Sequence, residues 1–258
     1  ILEARNAIGG TWDLFRYPGI RSDSDMYTFG YRFRPWTGDQ TLADGPSIRK
    51  YIQDTATETG IDKKIRYGHR VVRVEWSSQM EHWTIWSTCP KSDDLLCFTA
   101  SFFFNCSGYY RYDKGYTPDF LGMDTFKGRI IHPQHWPEDF DHAGKKIVVI
   151  GSGATAVTLV PALASTAKHV VMLQRSPTYV ATVPSRDAIA IFLRRWLPEK
   201  IAYALTRWKN VLRNTYIYEM SQRRPEQVKA YLRRMAKEQL PRDYEVDTHF
   251  KPRYNPWD

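Results

Sequence analysis

An α/β fold with two Rossmann-like domains, the first of them incomplete, followed by a helical subdomain, is predicted by three features of this chain. The first is a short apolar stretch, Ile1–Ala4, that resembles the end of a buried strand and carries Glu3. The second is a strand–turn–helix–strand pattern beginning at Lys146. The third is a helical, strongly basic sequence after Asp187. Strands alternating with helices are typical of parallel sheets covered by helices.

Further elements between these features are predicted from hydrophobic periodicity and turn residues. They are a helix over 46–58, hairpin strands within 65–76 and 82–87, a polar link over 87–96, a strand within 98–108 and an irregular connector over 109–124.

Composition narrows the classes of partner. The chain has 37 Lys and Arg against 28 Asp and Glu, a net charge of +9 that suits nucleic acid, an acidic membrane surface or an anionic cofactor. No nucleic-acid-binding module is recognisable and the basic residues are spread over predicted helices, so we expect no nucleic-acid partner. No apolar run reaches the roughly 18 residues that a membrane-spanning helix needs.

The cysteines and the chain ends carry less information. Cys89, Cys97 and Cys106 lack metal-ligand spacing, so we expect no metal, and Cys106 is predicted to be a buried small hydrophobe. This usage fits a reducing cytoplasm. The chain opens without Met and stops at KPRYNPWD without a terminating pattern, so we expect both ends to continue in a longer protein.

The most specific local pattern is KIVVIGSGATAV, an apolar strand followed by a glycine turn and a helix. Gly151 permits the tight turn, Gly153 lets the backbone approach a pyrophosphate, and Ala156 lets helix and strand pack closely. The pyrophosphate would lie at the helix N-terminus. The alternative is a glycine-rich turn that binds no nucleotide. The candidate binding residues are Gly151, Ser152, Gly153, Ala154, Thr155, Ala156 and Val157.

The next strand, 169–174, ends at Arg175 and Ser176 rather than at a carboxylate. A carboxylate there would bind a ribose 2′-hydroxyl, whereas a guanidinium suits a 2′-phosphate. The sequence therefore predicts NADPH rather than NADH, and the alternative for Arg175 is a solvated surface charge.

Glu3 occupies the corresponding position in the first predicted domain, where a carboxylate would bind ribose hydroxyls. Its alternative is an ordinary solvated glutamate. Two dinucleotides in one chain suggest electron transfer between them, and FAD with NADPH is the natural pair.

The stretch ahead of the glycine turn contains Phe126, Gly128, His132, Trp136 and Pro137 in the pattern FxGxxxHxxxWP. With this signature, the chain resembles the flavin-containing monooxygenases of the Baeyer–Villiger type. That family carries FxGxxxHxxxW followed by Pro or Asp just before its NADPH-binding turn. The segment GGTWDLFRYPGIRSDSDMYTFGYRFRPW also resembles the FAD-contacting segment of the family, and the resemblance covers essentially the whole chain.

The resemblance implies cofactor contacts at named positions. For FAD they are Glu3, Thr11, Trp12, Asp13, Leu14, Asp23 and the backbone around Val71; for NADPH they are Arg21, Ser22, Asp23, Gly151 to Val157, Arg175 and Ser176. It also implies that Asp23 is a catalytic residue, tuning an arginine expected just beyond Asp258. The alternative for Asp23 is a turn-capping aspartate, a role that Asp25 would suit equally well.

The resemblance further implies an FAD-binding domain over 1–124, the start of an NADPH-binding domain over 125–186 and a helical subdomain over 187–258. His132 and Trp136 either position the NADPH domain or pack the connector, and both readings predict a buried His132. For 187–258 we favour helices packed on the core with solvated Arg and Lys over peripheral contact with an anionic membrane.

The implied activity is insertion of one oxygen atom from O₂ into ketones, or oxygenation of sulfur in thioethers and thioamides, through a C4a-peroxyflavin. This chain alone is expected to be inactive, because the first glycine motif and the implied arginine lie outside it. The alternatives are an N- or S-oxygenating flavin monooxygenase and a non-catalytic nucleotide-binding module. No oligomeric state is predicted.

Overall fold

The computed structural model describes residues 1–89 and 92–257. They form two compact units, each with its own elements. Unit 1 comprises Ile1–Arg16 and Gly45–Trp136, and unit 2 comprises Tyr17–Asp44 and Pro137–Asp258. The predicted domain boundaries at 124 and 186 were drawn by cofactor and stay a prediction.

Unit 1 contains two α-helices and a three-stranded sheet. They are α1 (Thr11–Leu14), α3 (Gly45–Glu58), β1 (Arg70–Ser77), β2 (His82–Cys89) and β3 (Ser92–Ala100). Short 3₁₀ turns lie at Asp62–Lys64, Met123–Thr125 and Pro133–His135.

The predicted helix α3 is confirmed, and its buried face explains its formation. Ile48, Tyr51 and Thr55 are buried at spacings of three and four residues, which places them on one side of the helix, and Ala56 is buried next to Thr55. The opposite side carries Lys50, which is exposed, and Asp54, which is half-buried. An amphipathic pattern of this kind directs a helix onto a core.

The predicted hairpin is confirmed and continues into a third strand. The order is β1-β2-β3, antiparallel throughout, with Trp76 opposite Trp83 and Ile85 buried on β2. The pairing of β1 with β2 is irregular between Val71 and Arg73.

Three predictions about this region are wrong. The strand predicted within 98–108 lies earlier, at Ser92–Ala100. It ends there because Ala100 pairs with Trp83, close to the start of β2, and β2 offers no partner for the residues that follow. The apolar run beyond it is irregular and leaves Phe104 exposed, and Cys106 is exposed rather than buried. The polar link predicted over 87–96 is wrong as well, since 87–89 belong to β2 and 92–96 to β3, while residues 90–91 lie outside the described residues.

The predicted N-terminal buried strand is also wrong. Ile1 is exposed, and the stretch pairs only briefly, with Leu2 in a parallel bridge to Arg66. The Glu3 N–H donates to the Arg66 carbonyl at 3.0 Å, and the His69 N–H donates to the Glu3 carbonyl at 2.9 Å. This ladder is too short to form a buried strand, although it fixes the backbone around Glu3.

Unit 2 contains a parallel strand pair and six α-helices among its described residues. They are α2 (Met26–Phe29), β4 (Lys146–Ile150), α4 (Ala154–Ala164), β5 (His169–Leu173), α5 (Ala188–Trp196), α6 (Glu199–Arg223), α7 (Pro225–Glu238) and α8 (Val246–His249). The predicted order of strand, turn, helix and strand is confirmed, with β4 and β5 parallel and Ile150 opposite Leu173.

The chain after Asp187 is helical, as predicted, but its surface differs from the interpretation we favoured. Tyr27, Ala190 and Tyr203 form a buried cluster that joins α2, α5 and α6. Large apolar side chains nevertheless remain exposed beside the basic ones, among them Trp196 and Trp208. Within residues 1–89 and 92–257, no helix has the length and apolar character needed to cross a bilayer.

Candidate nucleotide-binding sites

The glycine turn of unit 2 continues the parallel ladder and then leaves it sharply. The Gly151 N–H donates to the Leu173 carbonyl at 2.8 Å, one step past the last strand pair. Gly151 has a φ of 132°, a conformation that residues with a Cβ rarely adopt. The turn therefore needs glycine at 151 for its backbone alone.

Gly153 has a different reason to be glycine. It is the N-cap of α4 with an ordinary φ of −78°, and a Cβ built there would meet no protein atom within 4 Å. The backbone and the packing of this chain would therefore tolerate a side chain at 153. A phosphate group that approaches the turn would fill the same space, which fits the predicted pyrophosphate site.

The start of α4 is arranged to accept an anion. Gly153 provides no side chain to cap the first N–H groups of the eleven-residue helix, and Ala156 is buried beneath them. The first N–H groups of a helix lack partners within the helix, and its N-terminus carries a partial positive charge.

The carboxyl end of β5 adjoins this turn. The Ser152 hydroxyl donates to the Ser176 carbonyl at 3.3 Å and so ties the turn to the residues after β5. Arg175 immediately precedes Ser176 in the chain. Its side chain is exposed and has no partner among the described residues. Its guanidinium is thus available to an outside ligand.

The segment Tyr17–Asp25 belongs to the same unit and lies directly on α4. A Cβ on Gly19 would come within 2.6 Å of the Thr158 carbonyl oxygen, so only glycine allows this close approach. Arg21 then forms an antiparallel bridge with Asp44. The unit therefore brings the predicted NADPH segment at 21–23 and the helix of the glycine turn into one fold.

The side chains of this segment separate the two interpretations of Asp23. Asp23 is exposed and has no carboxylate partner in the described part of the chain. Asp25 is buried and is the N-cap of α2, accepting the Thr28 N–H at 3.0 Å. The capping role belongs to Asp25, and the catalytic role of Asp23 stays a prediction. Ser22 is buried, with its hydroxyl donating to the Ser24 carbonyl.

In unit 1, the Asp13 carboxylate on α1 is surrounded by arginines. Arg5 Nη2 lies 2.6 Å from Oδ2, Arg16 Nη2 lies 2.7 Å from Oδ1, and Arg49 Nε lies 3.0 Å from Oδ1. Asp13 is only 6% exposed. Three cations against one carboxylate leave a net positive charge, and the side chain of Asp13 is occupied by them.

The other residues predicted to contact FAD have freer surroundings. Glu3 accepts the Arg5 N–H through Oε1 at 2.8 Å, and Oε2 has no partner among the described residues. Thr11, Trp12 and Leu14 are half-buried on α1. Val71 is exposed on β1, opposite Ser87.

In the FxGxxxHxxxWP signature, aromatic rings pack closely against glycines. A Cβ on Gly128 would come within 2.4 Å of the Phe126 ring, and a Cβ on Gly115 would come within 2.0 Å of the His132 ring. His132 is half-buried, less than either interpretation predicted, while Phe126 is exposed. His132 Nδ1 accepts the Gln134 N–H at 3.2 Å, which places the proton of a neutral imidazole on Nε2.

Gln134 connects this signature to the preceding connector. Its side chain is buried, and its Nε2 donates to the Arg111 carbonyl at 2.6 Å. Trp136 is half-buried, and Pro137 begins the second segment of unit 2. These contacts support the packing interpretation of His132, and its role in positioning a cofactor domain stays a prediction.

Sequence reasoning missed the arginine partners of Asp13 as well as Gly115 and Gln134. Arg5 and Arg16 are near Asp13 in sequence, and a lone aspartate among them could have indicated pairing. Arg49 and Gly115 come from distant positions, and no local pattern marks them.

Comparison with known proteins identifies the family. The sequence profile of the flavin-binding monooxygenase-like family matches residues 41–234. This chain belongs to that family.

Three relatives place this flavin-binding monooxygenase-like chain more closely. It is 57% identical over 259 residues to the FAD-containing monooxygenase EthA of Mycobacterium tuberculosis, covering 100% of this chain and 53% of EthA. The structure of OTEMO in complex with FAD and NADP has 31% identity and a TM-score of 0.58, over 69% of this chain and 34% of OTEMO. The cyclohexanone monooxygenase of Rhodococcus sp. Phi1, bound to NADP⁺, has 28% identity and a TM-score of 0.61, over 72% of this chain and 34% of that protein.

The flavin-binding monooxygenase-like chain spans about half the length of the curated relatives it matches. The resemblance inferred from its signature is thus confirmed at the level of the family.

Proposed function

We propose that the protein containing this chain is a flavoprotein monooxygenase of the Baeyer–Villiger type that binds FAD and NADPH and oxygenates a small ketone. The observation that carries the proposal is the turn before α4, open at Gly153, with Arg175, just after β5, exposed and without a side-chain partner among the described residues. We assign NADPH to unit 2 and FAD to a dinucleotide-binding domain that includes unit 1.

For NADPH, the residues present fit the group. The uncapped N–H groups of α4 suit the pyrophosphate, and Arg175 supplies a planar cation for the 2′-phosphate. Arg21, Ser22 and Asp23 would contact the same cofactor from the segment that lies on α4.

For FAD, the fit rests on charge. The arginines around Asp13 leave a net positive charge, which suits a pyrophosphate, and the unpaired Oε2 of Glu3 suits a ribose hydroxyl. Because the Asp13 carboxylate is already held by cations, we infer that it organises the arginines rather than contacting FAD directly. Thr11, Trp12, Leu14 and the Val71 backbone would contribute the remaining contacts.

The bound cofactors supply hydride transfer and the activation of O₂. The residues of this chain bind and orient them. Asp23, exposed and unpaired, is our candidate for holding a cation close to the reacting atoms. A ketone substrate is favoured by the cyclohexanone monooxygenase among the structural relatives. Thioether or thioamide oxygenation is tested beside it, and the cytoplasmic compartment and peripheral membrane contact stay predictions.

The test is coenzyme selectivity in the full-length protein reconstituted with FAD. We expect Arg175→Ala to raise the KM for NADPH by about 10- to 100-fold, since a hydrogen-bonded charge pair is worth about 1.5–3 kcal/mol. The KM for NADH should stay unchanged, because NADH has no 2′-phosphate.

Arg213→Ala is the matched control, since Arg213 is another exposed arginine of unit 2. It should leave both KM values unchanged. An equal effect of Arg175→Ala on NADPH and NADH would refute the assignment of the 2′-phosphate. A full-length protein that shows no flavin absorbance and no NADPH-dependent oxygenation of a ketone or thioether would refute the enzyme class.

A further inference from the structure

Helix α6 contacts the short helix α2 at two places, its backbone carbonyls and its N-cap. Arg207 Nη1 donates to the carbonyls of Tyr27 at 2.7 Å and Thr28 at 3.0 Å. Asn210, three residues further along α6, donates through Nδ2 to Asp25 Oδ1 at 2.9 Å, at the N-cap of α2. A helix of four residues cannot maintain itself in water, so its position depends on these contacts.

Asp25 is the centre of the contact at the N-terminal end. Its Oδ1 accepts the Thr28 N–H at 3.0 Å as well as the Asn210 amide, and its Oδ2 accepts the Thr28 hydroxyl at 2.6 Å. Asp25 is 5% exposed and Asn210 is fully buried. Water therefore cannot easily replace the Asn210 amide if it is removed, and the Asp25 carboxylate would lose a donor.

The residues just before Asp25 are those assigned to NADPH. Ser22 is fixed by its N–H, which donates to the Ala43 carbonyl at 2.9 Å, and the Ser24 N–H donates to the Ser22 hydroxyl at 3.0 Å. The Met26 N–H donates to the Thr41 carbonyl at 2.8 Å. The segment 21–26 is thus fixed by these backbone hydrogen bonds and, near its C-terminal end, by the Asp25 cap.

Asn210 is not explained by the packing of α6 alone. Its Oδ1, and the hydroxyl of Thr206 one turn earlier on the same helix, are buried without a hydrogen-bond partner in the described part of the chain. Leaving a buried polar atom unpaired is unfavourable, so an apolar residue would suit a helix that only had to pack. Among the described residues, the side chain of Asn210 makes one hydrogen bond, which is the bond to Asp25.

We propose that Asn210 is a positioning residue for the cofactor-binding segment 21–23, acting through Asp25. The helical region after Asp187 would therefore contribute to cofactor binding, because α6 fixes the position of Arg21 and Asp23. The inference rests on the proposed function, because it assumes that the segment binds NADPH.

The test uses the full-length, FAD-loaded protein and measures the Kd of NADP⁺ in the oxidised state. Asn210→Ala should raise the Kd about tenfold, the effect of losing one buried hydrogen bond to a charged group. Asn210→Asp keeps the size but removes the donor, and should raise the Kd at least as much. The KM for NADPH should rise with the Kd, while kcat at saturating NADPH changes less.

Two further variants separate positioning from damage to the fold. Asp25→Ser keeps a good N-cap but removes the carboxylate that Asn210 contacts, so adding Asn210→Ala to Asp25→Ser should raise the Kd further by less than about threefold. Thr206→Val removes an unpaired hydroxyl from the same buried face of α6 and should leave the Kd unchanged. Hydrogen exchange at the Ser24 and Met26 amides should accelerate in Asn210→Ala and not in Thr206→Val.

Each outcome decides a different point. If the unmodified protein does not bind NADP⁺, the proposed function fails, and the role of Asn210 fails with it. If that protein binds but Asn210→Ala and Asn210→Asp lower the melting temperature without raising the Kd, Asn210 is structural and only the positioning role is overturned. A rise of about tenfold on adding Asn210→Ala to the Asp25→Ser protein would also overturn it, because Asn210 would then act without Asp25.

Discussion

The glycine turn of unit 2 and the Asp13 cluster of unit 1 are both candidate anion sites, but they are built in opposite ways. The turn uses backbone N–H groups, open space at Gly153 and the unpaired Arg175. The cluster uses side chains that are already paired with one another. The first would be completed by its ligand, whereas the second is held together before any ligand arrives.

This difference separates binding from folding. A site made of open backbone can be altered with little effect on stability, because its atoms have few partners in the protein. A site made of buried ion pairs cannot, because removing one member leaves the others unsatisfied. Changes at three places, Asp13, the two glycines of the turn and Asp187, test the contrast in order of decreasing effect.

The largest effect is expected for Asp13→Asn. The change leaves three guanidiniums without their shared counter-charge, which we expect to lower the free energy of unfolding by about 2–3 kcal/mol. This is below the full loss for a buried pair because the arginine side chains are 26–43% exposed and can regain water. Urea denaturation measures it.

Asp54→Asn is the control for Asp13→Asn. Asp54 pairs with Lys50 on the exposed face of α3, and such a pair contributes at most about 0.5 kcal/mol. Equal losses in the two variants would contradict the view that the Asp13 cluster stabilises unit 1.

A smaller effect on stability is expected for the two glycines of the turn, and the two should differ. Gly151→Ala forces a side chain into a φ of 132° and should lower the free energy of unfolding by about 1–3 kcal/mol. Gly153→Ala adds a methyl group in open space at an ordinary φ, so stability should change by less than about 0.5 kcal/mol.

The Gly153→Ala change should instead weaken NADP⁺ binding about tenfold, since the methyl group occupies the space proposed for the pyrophosphate. Isothermal titration beside urea denaturation tests both glycines. A loss of stability without a loss of affinity in Gly153→Ala would remove the argument that the open space belongs to a ligand.

The smallest effect concerns Asp187, which is paired with one lysine rather than three arginines. Burial opposes its ionisation, but the Lys209 ammonium and the backbone N–H groups at the start of α5 outweigh it and lower the pKa of the carboxyl. A lowered folded pKa contributes stability that is fully present above the unfolded pKa of about 3.9. That contribution is lost as the pH falls through the folded pKa.

Because Lys209 is partly exposed, we expect this contribution to be below about 1 kcal/mol. Unfolding free energies measured from pH 7 downwards should fall less steeply below pH about 4 in Asp187→Asn than in the unmodified protein. Identical pH profiles would show that the pair with Lys209 adds nothing to stability.

Features that depend on interactions between residues close in sequence were predicted, and those that depend on distant residues were not. The unit β4–α4–β5 and helix α3 were predicted because their signals are local: an apolar run, two glycines and a repeat of three and four residues. The end of β3 at Ala100 was not, because a strand ends where its partner ends rather than where its apolar residues do.

The candidate sites divide in the same way. The turn at Gly151 and Gly153 was predicted because a phosphate-binding turn has a sequence signature, and the binding roles of these glycines and of Arg175 stay predictions. The partners of Asp13 and the contact between Asn210 and Asp25 could not be found, since they join residues that are distant in sequence and carry no shared pattern. The distinction between Asp23 and Asp25 needed the helix cap itself.

The position of the cysteines has a practical consequence for spectroscopy. Cys97 and Cys106 are exposed and Cys89 is the remaining cysteine, so all three cysteines of this chain belong to unit 1. A maleimide dye would therefore label that unit and leave unit 2 unmodified. Its emission would report on the surroundings of β3 and of the irregular stretch after it, where Cys97 and Cys106 lie.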